Sequence, residues 1–76
     1  MKTLDLAETG KEYEIVEVSG GRGAVRNLRE LGFLPGRRVR VLKNWGSVLV
    51  SVNGATFVVG GGLARKVVVR DVGDAA

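Results

Sequence analysis

In the stretch LRELGFLPGRRVRVL, residues 28 to 42, the spacing of apolar positions changes from helical to alternating. Upstream of the change, residues 22 to 31 read as a short amphipathic helix. At 100° per residue, Ala24, Val25, Leu28 and Leu31 share an arc of roughly 120°, while Arg22, Arg26 and Arg29 lie within roughly 60° on another side. Arg26 and Glu30 are four residues apart, a spacing that adds about 0.3 kcal/mol of helix support. Gly32 stands where a left-handed C-terminal cap is needed, and Pro35 biases Leu34 towards extended backbone, so a helix cannot run through LGFLPG. Pro35 and Gly36 then suit the centre of a type II turn, which needs a positive φ at its second residue. Phe33 and Leu34, apolar inside a turn, are expected to seat this corner on the core.

The remaining pattern is short strands. Residues 13 to 18, YEIVEV, are β-branched and aromatic with interspersed carboxylates, as in a strand wet on one face. The spacing of Tyr13, Ile15 and Val18 breaks alternation by one residue, which predicts a β-bulge. After the corner come residues 37 to 43, 47 to 52 and 55 to 59, separated by NWG and NG. Asn53 and Gly54 tolerate the positive φ of a type I′ turn, and a two-residue loop sets the register. Val52 opposes Ala55, Val50 opposes Phe57 and Val48 opposes Val59 on the core side, leaving Leu49 and Val58 outward. Gly60, Gly61 and Gly62 end that strand, Leu63 to Arg65 make one helical turn, and residues 66 to 72 form the last strand, which should pair with residues 13 to 18. The segment from Met1 to Gly10 is expected to tuck under the fold. The expected architecture is mainly β: a small five-stranded barrel, closed or nearly closed, with one short inserted α-helix, because closure removes exposed strand edges.

Length and composition fit one domain spanning residues 1–76. There is no cysteine and no histidine, so neither a disulfide nor an ordinary zinc site supports it. No apolar run approaches the ~20 residues that cross a bilayer, and no secretory signal begins the chain, so the expected location is cytoplasmic with no membrane insertion. Catalysis is not expected: Glu8, Glu12, Glu14 and Glu17 lack a basic or metal-binding partner, and Ser19, Ser47 and Ser51 lack a base. No calcium loop or phosphate loop is present either, since SGGRG and GGGLARK have the wrong spacing and context. No cofactor and no metal site follow from the residues.

Charge adds one feature. Eight arginines and four lysines against eight acids give +4. Arg22, Arg26 and Arg29 form one stripe, and Arg38 with Arg40 another; each suits a solvated face, a phosphate backbone or an acidic protein surface. Nucleic-acid barrels stack bases on aromatic platforms. Here Tyr13, Phe33 and Phe57 are assigned to packing, which makes nucleic acid the alternative reading. Trp45, at the tip of the NWG turn, either folds back over the barrel end or stands out as an interface anchor. By alternation Leu42 lies on the side of Arg38 and Arg40. Leu42, Trp45, Leu49 and Val58 therefore define an apolar patch rimmed by arginine, suited to a partner protein or a second copy of the chain.

The series L(x)5–G(x)2–Y–x–I from Leu4, then RNLRELGFLPG, V–x–V and a late A(x)2–V–x–V resembles the ferrous iron transport protein A family, FeoA, from Leu4 to Val69. Its most specific part is Leu28, Leu31, Gly32, Phe33, Pro35 and Gly36. The resemblance implies an SH3-like barrel with an inserted helix, also similar to the carboxyl-terminal module of DtxR-type metal-dependent repressors. It further implies a non-catalytic, cytoplasmic accessory protein of bacterial ferrous iron uptake that contacts the cytoplasmic GTPase region of the FeoB permease.

Overall fold

The computed structural model describes residues 1–72. Its elements are β1 (Lys2–Thr3), a 3-10 turn (Leu4–Leu6), β2 (Glu12–Val18), α1 (Arg22–Glu30), β3 (Arg38–Asn44), β4 (Val48–Val52), β5 (Ala55–Val59), α2 (Gly61–Ala64) and β6 (Val67–Asp71). Among the described residues the strands form one antiparallel sheet of six, in the order β1-β6-β2-β3-β4-β5. Two expectations are corrected. A sixth strand, β1, pairs with β6 through Lys2 and Val69, Thr3 and Val68. The ladder also stays open, with β1 at one edge and β5 at the other.

The corner between α1 and β3 follows from hydrogen bonding. The amide of Phe33 donates to the carbonyl of Leu28 at 2.9 Å and that of Gly32 to Arg29 at 3.0 Å, the paired bonds of a Schellman motif. Gly32 takes φ +102°, and a Cβ there would lie 3.3 Å from Val52 Cγ1. Arg37 donates to Leu34 at 3.0 Å across Pro35 and Gly36, whose φ is +91°, as a type II turn requires. Strand β2 grips this turn. Gly36 donates to the Ile15 carbonyl, and Ile15 donates to the Arg37 carbonyl, both at 2.8 Å. The expected bulge lies directly beyond, where the β2–β6 register shifts between Ile15 and Glu17.

The β4–β5 hairpin has the register expected from its Asn53–Gly54 loop, with φ +54° and +82°. Val39, Val41, Val48, Val50, Val52, Val59, Val67 and Val69 are buried, together with Leu4, Tyr13, Ile15, Leu28, Phe33 and Ala64. Valine suits this core because its single preferred χ1 leaves little rotamer freedom to lose, and each buried side chain contributes about 1.5–3 kcal/mol. Phe57 is half-buried, its ring edge-on to Phe33 at 5.6 Å between centroids.

Helix α1 is attached lightly. Leu28 is its one buried residue; Ala24 and Val25 are half-buried, and Leu31, already past the last helical residue, is 44% exposed. The expected four-residue apolar face is thus reduced to one anchor, because the helix ends in a tight corner instead of lying across the sheet. Arg26 and Glu30 form no ion pair among the described residues, consistent with the less favourable order of base before acid. Gly21 provides no side-chain cap.

These differences give a paired prediction for urea denaturation. Gly32→Ala should cost about 1–3 kcal/mol, because it strains a positive φ and crowds Val52. Gly23→Ala should stabilise the fold by about 0.5–1 kcal/mol, since a Cβ there meets nothing within 4 Å in an exposed helix. Equal midpoints for the two variants would contradict this assignment of the corner.

Candidate functional site

The outer face of the sheet is built by register. Across β2 and β3, Glu14 stands opposite Arg38 and Glu12 opposite Arg40. On the other side of Glu14 lies Arg70, whose Nη2 donates to Glu14 Oε1 at 2.7 Å. Arg38 and Arg40 are therefore interleaved with carboxylates and do not extend a purely basic stripe. Further along, Arg40 opposes Ser51 and Ser51 opposes Thr56, which makes that part neutral and polar.

The third row is apolar on β4 and β5, and its β3 position differs from the alternation rule. The β3–β4 register shifts between Val41 and Lys43, so Leu42 is the additional residue of a second bulge and Lys43 takes the position opposite Leu49. Leu49 in turn opposes Val58. The row thus reads Lys43, Leu49, Val58, with half-buried Leu42 set at the bulge. Val58 is 57% exposed and lies on the outermost strand.

Trp45 does not fold back over the sheet: it is 66% exposed. Asn44 explains why the turn holds its position without burying that ring. Its Nδ2 donates to the carbonyls of Asp5 at 2.9 Å and Ala7 at 2.8 Å, and its Oδ1 accepts from the Gly46 amide at 3.1 Å. The turn is riveted through its backbone and one amide side chain, which leaves the indole free. A second constraint comes from α2, since a Cβ on Gly61 would lie 2.8 Å from the Gly46 carbonyl oxygen.

The remaining arginines lie elsewhere. Arg22, Arg26 and Arg29 line an open groove of about 580 Å³ together with Gly20, Val25 and Glu30. Val25 is only about 60° from Arg22 around the helix, so one apolar side chain shares the arginine groove. None of Arg22, Arg26, Arg29, Arg38 and Arg40 has a carboxylate within 4.0 Å among the described residues. Among those residues no group of three or more His, Cys, Asp and Glu side chains could hold a metal ion. The expected site residues thus divide into two surfaces, the sheet face and the α1 groove.

Comparison with known proteins resolves the lineage. The family model described as the FeoA domain matches residues 2–71. The chain belongs to the FeoA family. A relative from Methanocaldococcus jannaschii named for Fe(2+) transport protein A is 33% identical over 72 residues, covering 93% of this chain and 88% of the relative. A crystal structure of an iron uptake regulatory protein, FeoA, superposes with a TM-score of 0.86 at 34% identity, covering 93% of this chain and 96% of that one. FeoA of Stenotrophomonas maltophilia, a prokaryotic SH3 domain protein solved with zinc, gives a TM-score of 0.80 at 27% identity over 92% and 91% of the two chains. A manganese-dependent transcriptional repressor shares the fold alone, at 21% identity over 41% of its length. The FeoA domain described here is accordingly an SH3-like fold whose sheet is open. No helix among its described residues is long and apolar enough to cross a membrane.

Sequence reasoning missed Asn44 and Lys43. The first reads as part of the NWG turn, and the two carbonyls it binds lie 37 and 39 residues away. The second is moved into the apolar row by a bulge that the regular run RVRVL conceals. Asn44→Ala should cost about 1–3 kcal/mol in chemical denaturation, by orphaning the Asp5 and Ala7 carbonyls in a part-buried setting. A change below about 0.5 kcal/mol would mean that water replaces the amide without loss.

Proposed function

We propose that this FeoA-family chain is a non-catalytic accessory of ferrous iron uptake, working in the cytoplasm by docking on the cytoplasmic GTPase region of the FeoB permease. The observation that carries the docking role is the apolar row ending in Val58, together with Trp45 held out in solvent at the β3–β4 turn. A large aromatic 66% exposed on a turn secured by three hydrogen bonds suits an anchor, since binding has to order the indole but not the backbone that carries it. Leu42 and Leu49 complete the apolar surface. Ferrous iron transport as the setting is supported by family membership and by the names of the relatives.

The arginines act differently. Arg22, Arg26 and Arg29, which have no carboxylate within 4.0 Å among the described residues, attract an acidic partner over roughly a Debye length and so set the association rate. Arg38 and Arg40 have Glu14 and Glu12 as cross-strand neighbours, so their field is partly cancelled and they contribute orientation on contact.

The test is binding of the intact chain to reconstituted permease. Trp45→Ala or Leu49→Asp should weaken affinity at least tenfold, about 1.4 kcal/mol or more, mostly through faster dissociation. Replacing Arg26 and Arg29 together by Glu should slow association and flatten its salt dependence while leaving dissociation nearly unchanged. Full affinity in folded Trp45→Ala and Leu49→Asp variants would remove the sheet face from the interface.

A further inference from the structure

The two edges of the sheet are protected unequally. Exposed edges invite pairing with other chains, and proteins blunt them by shortness, charge, proline or bulges. β1 is two residues long and carries Lys2. β5, Ala55–Val59, is five residues long, has no charge and no proline, and pairs with β4 without a register shift. None of its residues makes a further backbone hydrogen bond among the described residues.

The register shows which groups are free. In a two-residue hairpin the residues flanking the loop exchange hydrogen bonds, and pairs alternate from there. Ala55, Phe57 and Val59 therefore point their N–H and C=O groups towards β4. Thr56 and Val58, both exposed, point theirs out of the sheet.

We infer that β5 is a self-pairing edge, and that its occupant is β5 of a second copy, antiparallel about a two-fold axis at Phe57. In that register Thr56 of one copy faces Val58 of the other, so each copy donates and accepts through the same two residues and the free groups are satisfied reciprocally. Phe57 meets its counterpart at the non-hydrogen-bonded position, where side chains approach most closely, which extends the edge-on Phe33–Phe57 packing across the seam. Self-complementary register selects a second copy, and charge agrees with it. An acidic or basic strand finds no complement on five uncharged residues, whereas a second β5 meets no like charge although the chain as a whole carries +4. The outer side chains stay outward, so the sheet face proposed for docking continues from one copy into the next, and the inference stands independently of that docking.

A seam one strand wide buries less than the ~1,200 Å² typical of stable complexes, so pairing is weak and must be read at high concentration. Amide exchange at Thr56 and Val58, followed by NMR from about 10 μM to about 1 mM chain, should slow at least tenfold with concentration, and sedimentation should show a monomer–dimer equilibrium. Thr56→Pro removes an outward N–H and leaves the β4 ladder intact; it should abolish both effects. If that variant does not fold, Thr56→Lys provides the charged edge that blocks pairing. Leu49→Asp, one strand away from the seam, should dimerise as the wild type does. Exchange at Thr56 and Val58 that is independent of concentration would overturn the inference. So would dimerisation that survives the Thr56 variants, or that is lost in Leu49→Asp while persisting in them.

Discussion

Helix and sheet have incompatible backbone geometries, and in this domain they are reconciled within the few residues from Leu31 to Arg37. Two carbonyls at the end of α1, those of Leu28 and Arg29, are satisfied by Phe33 and Gly32, and the next turn is bonded on both sides to Ile15. Leu28 and Phe33, the residues joined by the first of these bonds, are both fully buried. The corner thus caps the helix, fills the core and sets the start of β3 in one operation. Glycine is favoured at position 32, where φ is +102° and a Cβ would lie a tight 3.3 Å from Val52 Cγ1.

From that constraint follows the distribution of free surface. The helix needs no broad contact with the sheet, because the corner holds its end, so its arginines and Val25 border an open groove. The sheet in turn has one face filled by valine and aromatic side chains and the other left outward, graded from alternating charge over β2 and β3 to an apolar row at β4 and β5. A domain built this way, here a member of the FeoA family, presents two separate outer surfaces, the sheet face and the α1 groove.

How much of this was legible in the sequence depended on the range of the interaction. Positions 32 to 36 and the Asn53–Gly54 loop act over two to five residues through backbone sterics, so the corner, the hairpin register and the bulge beyond Ile15 could be read from residue types. Alternation puts Leu42 beside Arg38 and Arg40, but a bulge that depends on how β3 meets β4 displaces it. Trp45 required knowledge of Asn44's bonds to Asp5 and Ala7, which are remote in sequence. The openness of the sheet was hidden for a similar reason: strand patterns reveal which faces are apolar, but not whether the first and last edges meet.

Docking through the outer surfaces should leave a footprint in hydrogen–deuterium exchange mass spectrometry of the chain alone and mixed with full-length permease. Residues 43–49 and 55–59 should become protected, with a smaller effect at residues 22–30. Protection confined to β1 and β6, or exchange unchanged in a saturated complex, would contradict docking through these surfaces.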